Sequence, residues 1–461
     1  MPADRAEKTV PTEGAWVRLA DLVGEAAVPR LRDVARAAPD DDPRYFGLKP
    51  YSEISVEGCF GYFVGIGRLP QAPDRVLHVR PRVFGGNGQA FRIDYLALYA
   101  ACAADPEVSR HLDHCLTVYV DEEPIAVEKA GEYSPLIALA YLKSLHELVQ
   151  RHLRRGFVTR EEDLRGRVRG QIALGRYAAR SLARAHPEIV PCRFQALEQN
   201  TLENRILRTA LAGARRLLED ASGRGLGGTQ AAWHVWARQA DAALAGAAIA
   251  RIMPRDFQAA RKSGAYRHYA RPLALARAVL TRTGFDPNQP IAPARARLVP
   301  FRLATAELFE RYVEVCLRRL PDWKVWAGYH DSNLGSDFPV RPDFLVGHNN
   351  GQRVIVDAKY KDFGRQASSG ANEDNSLRRD VYQTVAYSRH RAVQAQFGAP
   401  SAVVLCYPAQ QAQADNALQA ALAGENPRIH RHIGDFDLRV TLMELPVPTV
   451  RYNRCTSLAW P

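Results

Sequence analysis

The sequence predicts an α+β multidomain protein in three regions: a β-rich N-terminal domain (1–130), a mainly helical, basic middle region (131–295) and a C-terminal α/β domain with a mixed sheet (296–461). Three observations carry this. VEGCFGYFVGIGRL (56–69) and VLHVRPRVFG (76–85) are rich in β-branched and aromatic residues, as strands are. Apolar residues recur at three- and four-residue spacing through 134–156 and 201–220, as on one face of a helix. From 304 onward a helix, three strands, a helix and a strand follow one another, the pattern of an α/β unit.

Taken in order, QAPD (71–74) reads as a turn between the first two strands, RIDYLALYAACAAD (92–105) as a helix, and LTVYVDEEPIAVE (116–128) as a strand pair turned at Asp121–Pro124. GGNG (85–88) reads as a turn and not a phosphate loop, since no Lys followed by Ser or Thr stands where one would be needed. The 134–156 helix is expected to stop at Gly156, and Thr201 to cap the next helix. ASGRGLGG (221–228) reads as a loop, and another helix follows from about 230 to 251. FDPNQPIAPAR (285–295), with three prolines, is the expected boundary before the last region. There, a helix at 304–320 leads to strands KVWAGYH (324–330), RPDFLVG (341–347) and RVIVDAKYK (353–361), a loop over 363–376, a helix over 377–396, strand AVVLCYP (402–408), a further helix and strand LRVTLMEL (438–445).

The composition, 461 residues with 46% hydrophobic and 24% charged, is that of a globular chain with ample core. No run of 18 apolar residues occurs, so no membrane span is expected, and MPADRAEKTVPTEG lacks the apolar stretch of a secretory signal. Seven cysteines, scattered from 59 to 455, read as reduced cytosolic thiols, which places the chain in the cytoplasm. The net charge is +12. Ten Arg against Glu161, Glu162 and Asp163 between 151 and 184 form a basic block suited to a phosphate backbone or, equally, to a solvated face. Within it Arg165, Arg167 and Arg169 alternate, so on a strand they would present three guanidinium groups on one face and are the DNA-contact candidates.

The chemistry concentrates near the end of two strands. Asp343 follows Pro342, and 13 residues separate it from Asp357-Ala358-Lys359. Strand side chains alternate, so Asp357 and Lys359 share a face, and the short connection makes the two strands neighbours. Two carboxylates beside one ammonium is the set that metal-assisted phosphodiester hydrolysis needs: hard oxygen ligands for Mg²⁺, with Mn²⁺ as a substitute, and a lysine to orient water and offset developing charge. Lysine is scarce here, eight against 54 Arg, so its use suggests that a planar guanidinium would not serve. Glu310 shares a helix face with Val313 and Leu317 and is a candidate third carboxylate. Gln383 and Tyr387, four apart on the following helix, are candidates to touch a phosphate or order the metal shell.

PD–x13–DAK with a following Gln–x3–Tyr resembles the PD-(D/E)xK nuclease superfamily. More narrowly, the chain resembles the McrC family, the nuclease subunit of McrBC-type modification-dependent restriction systems. The resemblance rests on VGIGRL and LHVRPRVF, LRGRVRGQI (164–172), CRFQALEQNTLENRILRTAL (192–211), LFERYV (308–313), RPDFLV, VDAKYK and DVYQTVAY (380–387), in family order over about 60–445. Arg82 stands where the family pattern leads one to expect Lys. The resemblance implies a PD-(D/E)xK core that cuts modified foreign DNA, a hexameric AAA+ GTPase (McrB-like) that translocates the DNA, and docking of the N-terminal region into the ring, which stimulates hydrolysis. The absence of GxxxxGK[ST] fits a motor on a separate chain. Duplex DNA and the motor are then the partners, with dimerisation of nuclease domains left open. Residues 1–130 are expected to carry the docking surface, and their removal to leave a site still able to nick.

Two rival functions stand beside this: an autonomous repair or recombination nuclease, and a non-catalytic activator of an AAA+ ring, against which the intact Asp343, Asp357 and Lys359 argue. Other clusters carry less. His146 and His152 are six apart and fall on different helix faces, and Cys102, His111, His114 and Cys115 match no zinc spacing. Trp233 and Trp236 read as packing, Cys59 and Cys406 as core, and Phe60, Tyr62 and Phe63 as β-core in preference to a docking surface.

Overall fold

The computed structural model describes the chain outside residues 1–7, 10, 38–42, 51–54, 87–88, 128–133, 224–229, 284–295, 328–340, 363–373, 411–414, 424–428, 434–437 and 451–461. Two compact units result, one from Met1–Tyr119 and Pro300–Pro461, the other from Val120–Arg224 and Gln230–Val299. The division at 130 and 295 therefore gives way to one in which the first and last regions share a unit.

The first unit begins with β1 (Lys8–Thr9), the hairpin of β2 (Phe63–Leu69) and β3 (Ala72–Val79), the hairpin of β4 (Phe84–Gly86) and β5 (Gln89–Ile93), and helix α1 (Tyr95–Ala104), followed by β6 (Leu116–Val118). Asp94 caps α1, its carboxylate accepting from the Ala97 N–H. The strand of β3 already starts at Ala72, so QAPD is not the turn; Leu69 pairs with Ala72 and the reversal lies at Pro70–Gln71. Of GGNG, Gly85 and Gly86 lie in β4, and 87–88 fall outside the described residues.

In the second unit β7 (Ile125–Val127) leads to helix α2 (Ser134–Gln150), strands β8 (Gly156–Arg165), β9 (Gln171–Ile172) and β10 (Ile189–Glu198), helices α3 (Leu202–Gly223), α4 (Gln230–Ala243) and α5 (Ala270–Thr283), and β11 (Ala296–Leu298). Thr201 caps α3 as expected, its hydroxyl accepting from the Asn204 N–H at 3.3 Å. The α2 helix stops short of Gly156, because apolar spacing ends at Leu148 and His152 takes a left-handed backbone (φ 65°); Gly156 instead opens β8. The 221–228 loop is partly helix, and α4 is shorter than expected; the proline-rich 285–295 lies outside the described residues. Trp233 is buried, and Trp236 stacks on His146.

The 116–128 strand pair is corrected. β6 pairs with a strand of the first unit and β7 with β11 of the second, so the two never pair with each other. Local alternation announces strands but not partners, and here each partner lies more than 150 residues away in sequence.

Back in the first unit, β12 (Phe301–Ala304) inserts antiparallel between β2 and β6, giving the order β1-β3-β2-β12-β6. Glycines make that insertion possible. A Cβ on Gly65 would lie 2.1 Å from the Phe301 carbonyl oxygen, and one on Gly67 2.1 Å from the Arg302 guanidinium. Into that space Arg302 is buried, its Nη1 donating to Ile66 O at 2.7 Å and its plane 3.7 Å from the Phe46 ring centroid. A desolvated cation–π contact of this kind contributes about 2 kcal/mol. At Thr305 the same stretch becomes helix α6 (Thr305–Arg318), whose Leu308, Phe309, Val313 and Leu317 are wholly buried, each stabilising by roughly 1.5–3 kcal/mol.

Beyond α6 come β13 (Trp323–Ala327), β14 (Phe344–His348), β15 (Arg353–Ala358), helices α7 (Asp374–Arg389) and α8 (Arg391–Phe397), β16 (Ala402–Ala409), α9 (Asp415–Ala423), β17 (Ile429–Ile433) and β18 (Arg439–Pro446). They form a mixed six-stranded sheet ordered β13-β14-β15-β16-β18-β17, with β15, β16 and β18 parallel. The expected order of elements holds. The 377–396 helix is broken at His390, whose extended backbone ends α7 and whose ring nitrogen accepts from the Ala392 N–H. Among the described residues no helix is long and apolar enough to cross a membrane.

Since β12 lies between β2 and β6 in the N-terminal sheet, removing 1–130 strips both of its neighbours and the acceptor of Arg302, which argues against the expectation that a working site survives that deletion. Gly65→Ala should destabilise the chain by about 2–3 kcal/mol, because the backbone of β12 has nowhere to retreat. Urea denaturation monitored by circular dichroism measures this, and a loss under about 0.5 kcal/mol would show that β2 and β12 are not held so close.

Candidate functional site

The register of β14 on β15 pairs Phe344 with Val356, which sets Asp343 opposite Asp357 one residue further. Asp343 lies just before β14 and not within it, and Lys359 just past the end of β15. Like charges directly opposite each other on a sheet are destabilising. Both are nonetheless kept: Asp357 is 2% exposed, and Asp343 is partly open to a cleft. Asp343 Oδ2 accepts from the Ala358 N–H at 2.7 Å, which fastens one acid to the strand of the other. Burial raises the Asp343 pKa well above the ordinary carboxylate range, and the charges of Asp357 and Glu310 raise it further. Burial likewise raises that of Asp357, against the pull of Lys359.

Lys359 Nζ stands 2.5 Å from Asp357 Oδ2 and donates to Gln383 Oε1 at 3.2 Å, while Gln383 Nε2 donates to the Tyr387 hydroxyl at 2.7 Å. Burial would lower the lysine pKa, but Asp357, Asp343 and Asp380 outweigh it and hold the ammonium charged. The shared helix face of Gln383 and Tyr387 thus meets the lysine. Burial and the neighbouring Asp357 raise the pKa of Tyr387, so its hydroxyl keeps its proton. Lys361 anchors α7 separately, with Nζ 2.8 and 2.9 Å from the two oxygens of buried Asp380.

All six candidates, Glu310, Asp343, Asp357, Lys359, Gln383 and Tyr387, line one cleft of about 500 Å³. Tyr62, Glu307, Arg341, Tyr360, Lys361, Arg379 and Asp380 line it too and were not anticipated. Lys361 could have been found, since it is one of only eight lysines and stands two residues from Lys359. Tyr62 could not, because nothing local says that a tyrosine between two core phenylalanines turns outward; Phe60 and Phe63 are buried and Tyr62 is not.

The acid pair fits a hard divalent cation. Asp357 Oδ2 is buried and faces one cation already, the Lys359 ammonium, so the oxygen is placed for positive charge. Among the described residues no group of three or more His, Cys, Asp or Glu is arranged to hold a metal, so a cation here would have the two aspartates as its protein ligands and water for the rest. That is how Mg²⁺ is commonly bound, with one or two carboxylates and several retained waters.

The three arginines are placed differently from expectation. Arg165 ends β8, and Gly166 and Gly170, both with left-handed backbone (φ 66° and 69°), turn the chain between them, so Arg165, Arg167 and Arg169 do not share a strand face. All three are exposed; Arg165 pairs with Glu188 at 3.4 Å and Arg169 lies over the Phe194 ring at 4.3 Å. Alternation in LRGRVRGQI is a turn flanked by two glycines, which signals reversal more strongly than the arginines signal a strand.

The McrBC 5-methylcytosine restriction system component family matches the chain over residues 60–408, and the chain belongs to that family. Among solved structures, a chain of an assembly of Thermococcus gammatolerans McrB AAA+ hexamers with bound McrC is similar at 16% identity and a TM-score of 0.40, over 95% of this chain and 94% of that one. A chain of the Thermococcus gammatolerans McrBC complex is similar at 15% identity and a TM-score of 0.31, over 82% of this chain and 99% of that one. No curated protein matches.

A carboxyl whose folded pKa is raised adds stability below the unfolded value near 4 and loses it as pH climbs through the folded value. Asp343→Asn, which keeps the oxygen that accepts from Ala358, should therefore stabilise the metal-free chain at pH 8 by about 1 kcal/mol, and less at pH 5. Denaturation in EDTA at both pH values measures it. A difference that does not grow with pH would mean that Asp343 carries no excess charge repulsion.

Proposed function

We propose that this chain is the nuclease subunit of an McrBC-like complex, a Mg²⁺-dependent endonuclease of PD-(D/E)xK type that cuts modified foreign DNA and stimulates an AAA+ GTPase partner. The observation that carries the reading is the cross-strand pair Asp343 and Asp357, buried at a sheet end beside Lys359 in a cleft large enough for a phosphodiester.

Asp343 and Asp357 would hold the ion and Glu310 would bear on its water. Bound there, Mg²⁺ supplies Lewis-acid polarisation of the scissile phosphoryl group and a more acidic water. Lys359, kept charged by the aspartates, orients the attacking water and offsets the charge that develops on phosphorus-bound oxygens. Gln383 fixes the lysine's direction, and Tyr387 fixes Gln383. Arg341 and Arg379, exposed and lining the same cleft, suit the flanking phosphates. The exposed arginines at 165, 167 and 169 suit contact with the DNA backbone, as a basic turn in place of a strand face.

Asp357→Ala should abolish Mg²⁺-dependent cleavage with the fold intact, and Lys359→Ala should lower it by at least about 100-fold while leaving Mg²⁺ affinity within a few-fold. Plasmid cleavage with and without the partner motor, beside calorimetric Mg²⁺ titration, reads both. Wild-type cutting by Asp357→Ala would overturn the site, and undiminished motor stimulation by a wild type that never cuts would turn the reading to a non-catalytic activator.

Replacing Arg165, Arg167 and Arg169 together with Gln should weaken DNA binding and reduce the slope of log affinity against log salt by about one per lost phosphate contact. Fluorescence anisotropy over a salt series measures it, and an unchanged slope assigns the turn to solvent or to a protein partner.

A further inference from the structure

Glu13 lies outside every motif that pointed to the site, and its side chain is 3% exposed. A carboxylate so deep needs donors. On Oε1 it accepts from the Arg82 N–H at 3.1 Å, the Tyr95 hydroxyl at 3.2 Å and the Tyr360 hydroxyl at 3.0 Å, and on Oε2 from the Thr305 hydroxyl. Two of these donors belong to the elements that carry the site. Tyr360 directly follows Lys359, and Thr305 opens α6 five residues before Glu310. One carboxylate thus holds the exit of β15 with one oxygen and the start of α6 with the other.

The tyrosine cannot swing away from this tie. Its ring meets Tyr62 and Phe84 edge-on at 5.5 and 5.3 Å, and the Arg82 guanidinium lies over both of those rings. Two residues on, Asp362 Oδ2 accepts from the Gly85 N–H at 2.8 Å, a second tie from the N-terminal region to the same segment. An apolar residue at position 13 would hold a core at lower desolvation cost, whereas a fully satisfied polar network rigidifies and fixes one arrangement.

We propose that Glu13 is a positioning residue of the acid–lysine site: through Thr305 and Tyr360 it sets the placement of Glu310 relative to Asp357 and Lys359. The inference rests on the nuclease reading for what the site does, but its geometric content is independent of it.

The test uses the full chain with Glu13→Ala, Glu13→Gln, Tyr360→Phe and the Glu13→Ala/Tyr360→Phe double variant. Glu13→Ala and Tyr360→Phe should each lower kcat for Mg²⁺-dependent nicking by about 10- to 100-fold with KM for DNA unchanged, since a misplacement of about 1 Å costs that much. The double variant should be no slower than the slower single, because both break one tie. Glu13→Gln, which keeps the size and one accepting oxygen, should recover part of the rate. Independently of activity, backbone hydrogen exchange at 358–362 should accelerate in Glu13→Ala and Tyr360→Phe and stay near wild type in Glu13→Gln. If Glu13→Ala does not fold, Tyr360→Phe, which loses one hydroxyl, carries both readouts alone. Wild-type kcat and exchange in Tyr360→Phe, or multiplicative losses in the double variant, would overturn the proposal. Accelerated exchange in a chain whose wild type never cuts DNA would uphold the positioning role and overturn the nuclease reading.

Discussion

The seat of Arg302 is the contact on which the rest of this unit depends. A guanidinium can be buried only where its donors find acceptors and its plane finds a surface, and here Ile66 O and the Phe46 ring provide both. Gly65 and Gly67 are the sequence's concession to it: without their hydrogens-for-Cβ, β12 could not approach β2. Once β12 is fixed, the next residue is already α6, so there is no linker in which an error of placement could be absorbed. The helix that bears Glu310 is therefore registered against the N-terminal sheet before it meets the six-stranded sheet at all.

The site then works against its own stability. Two aspartates opposite each other, one nearly sealed from water, repel and resist ionisation. One ammonium cannot neutralise both, and the other lysine of the cleft, Lys361, is bound to Asp380 and serves the packing of α7. The two lysines of VDAKYK thus divide their labour by face and partner, one toward the acid pair and Gln383, the other toward the helix. A guanidinium at 359 would extend a planar fork across a space that Asp357 and Gln383 already define for a single point charge.

Much of this was legible in the sequence because it is local. Strand alternation put Asp357 and Lys359 on one face, the 13-residue connection made β14 and β15 neighbours, and helical spacing put Gln383 with Tyr387; each depends on a few consecutive residues. The failures are of another kind. The partners of β6 and β7 are remote, so alternation could show two strands and suggest the wrong pairing. Arg165, Arg167 and Arg169 obey a period of two, yet Gly166 and Gly170 overrule it. Position 13 carries no signal whatever, since a glutamate near a chain's start reads as surface until the structure places four donors around it.

That last case changes how the chain divides. Read as text, the C-terminal 166 or so residues contain all six residues of the candidate site, and the N-terminal region looks separable. Physically the acids, the lysine and the helix glutamate come from three elements that share no covalent shortcut, and their mutual repulsion favours drift apart. Something must oppose that drift. Within the six-stranded sheet, backbone pairing holds β14 to β15 but says nothing about α6. The restraint on α6 comes from β12 in the N-terminal sheet and from the hydroxyl of Thr305 on Glu13, and the restraint on the end of β15 comes from Tyr360 on the same carboxylate. The chemistry is thus written in one part of the chain and its geometry enforced by another, which makes the unit formed by both the smallest piece in which the site has a defined shape.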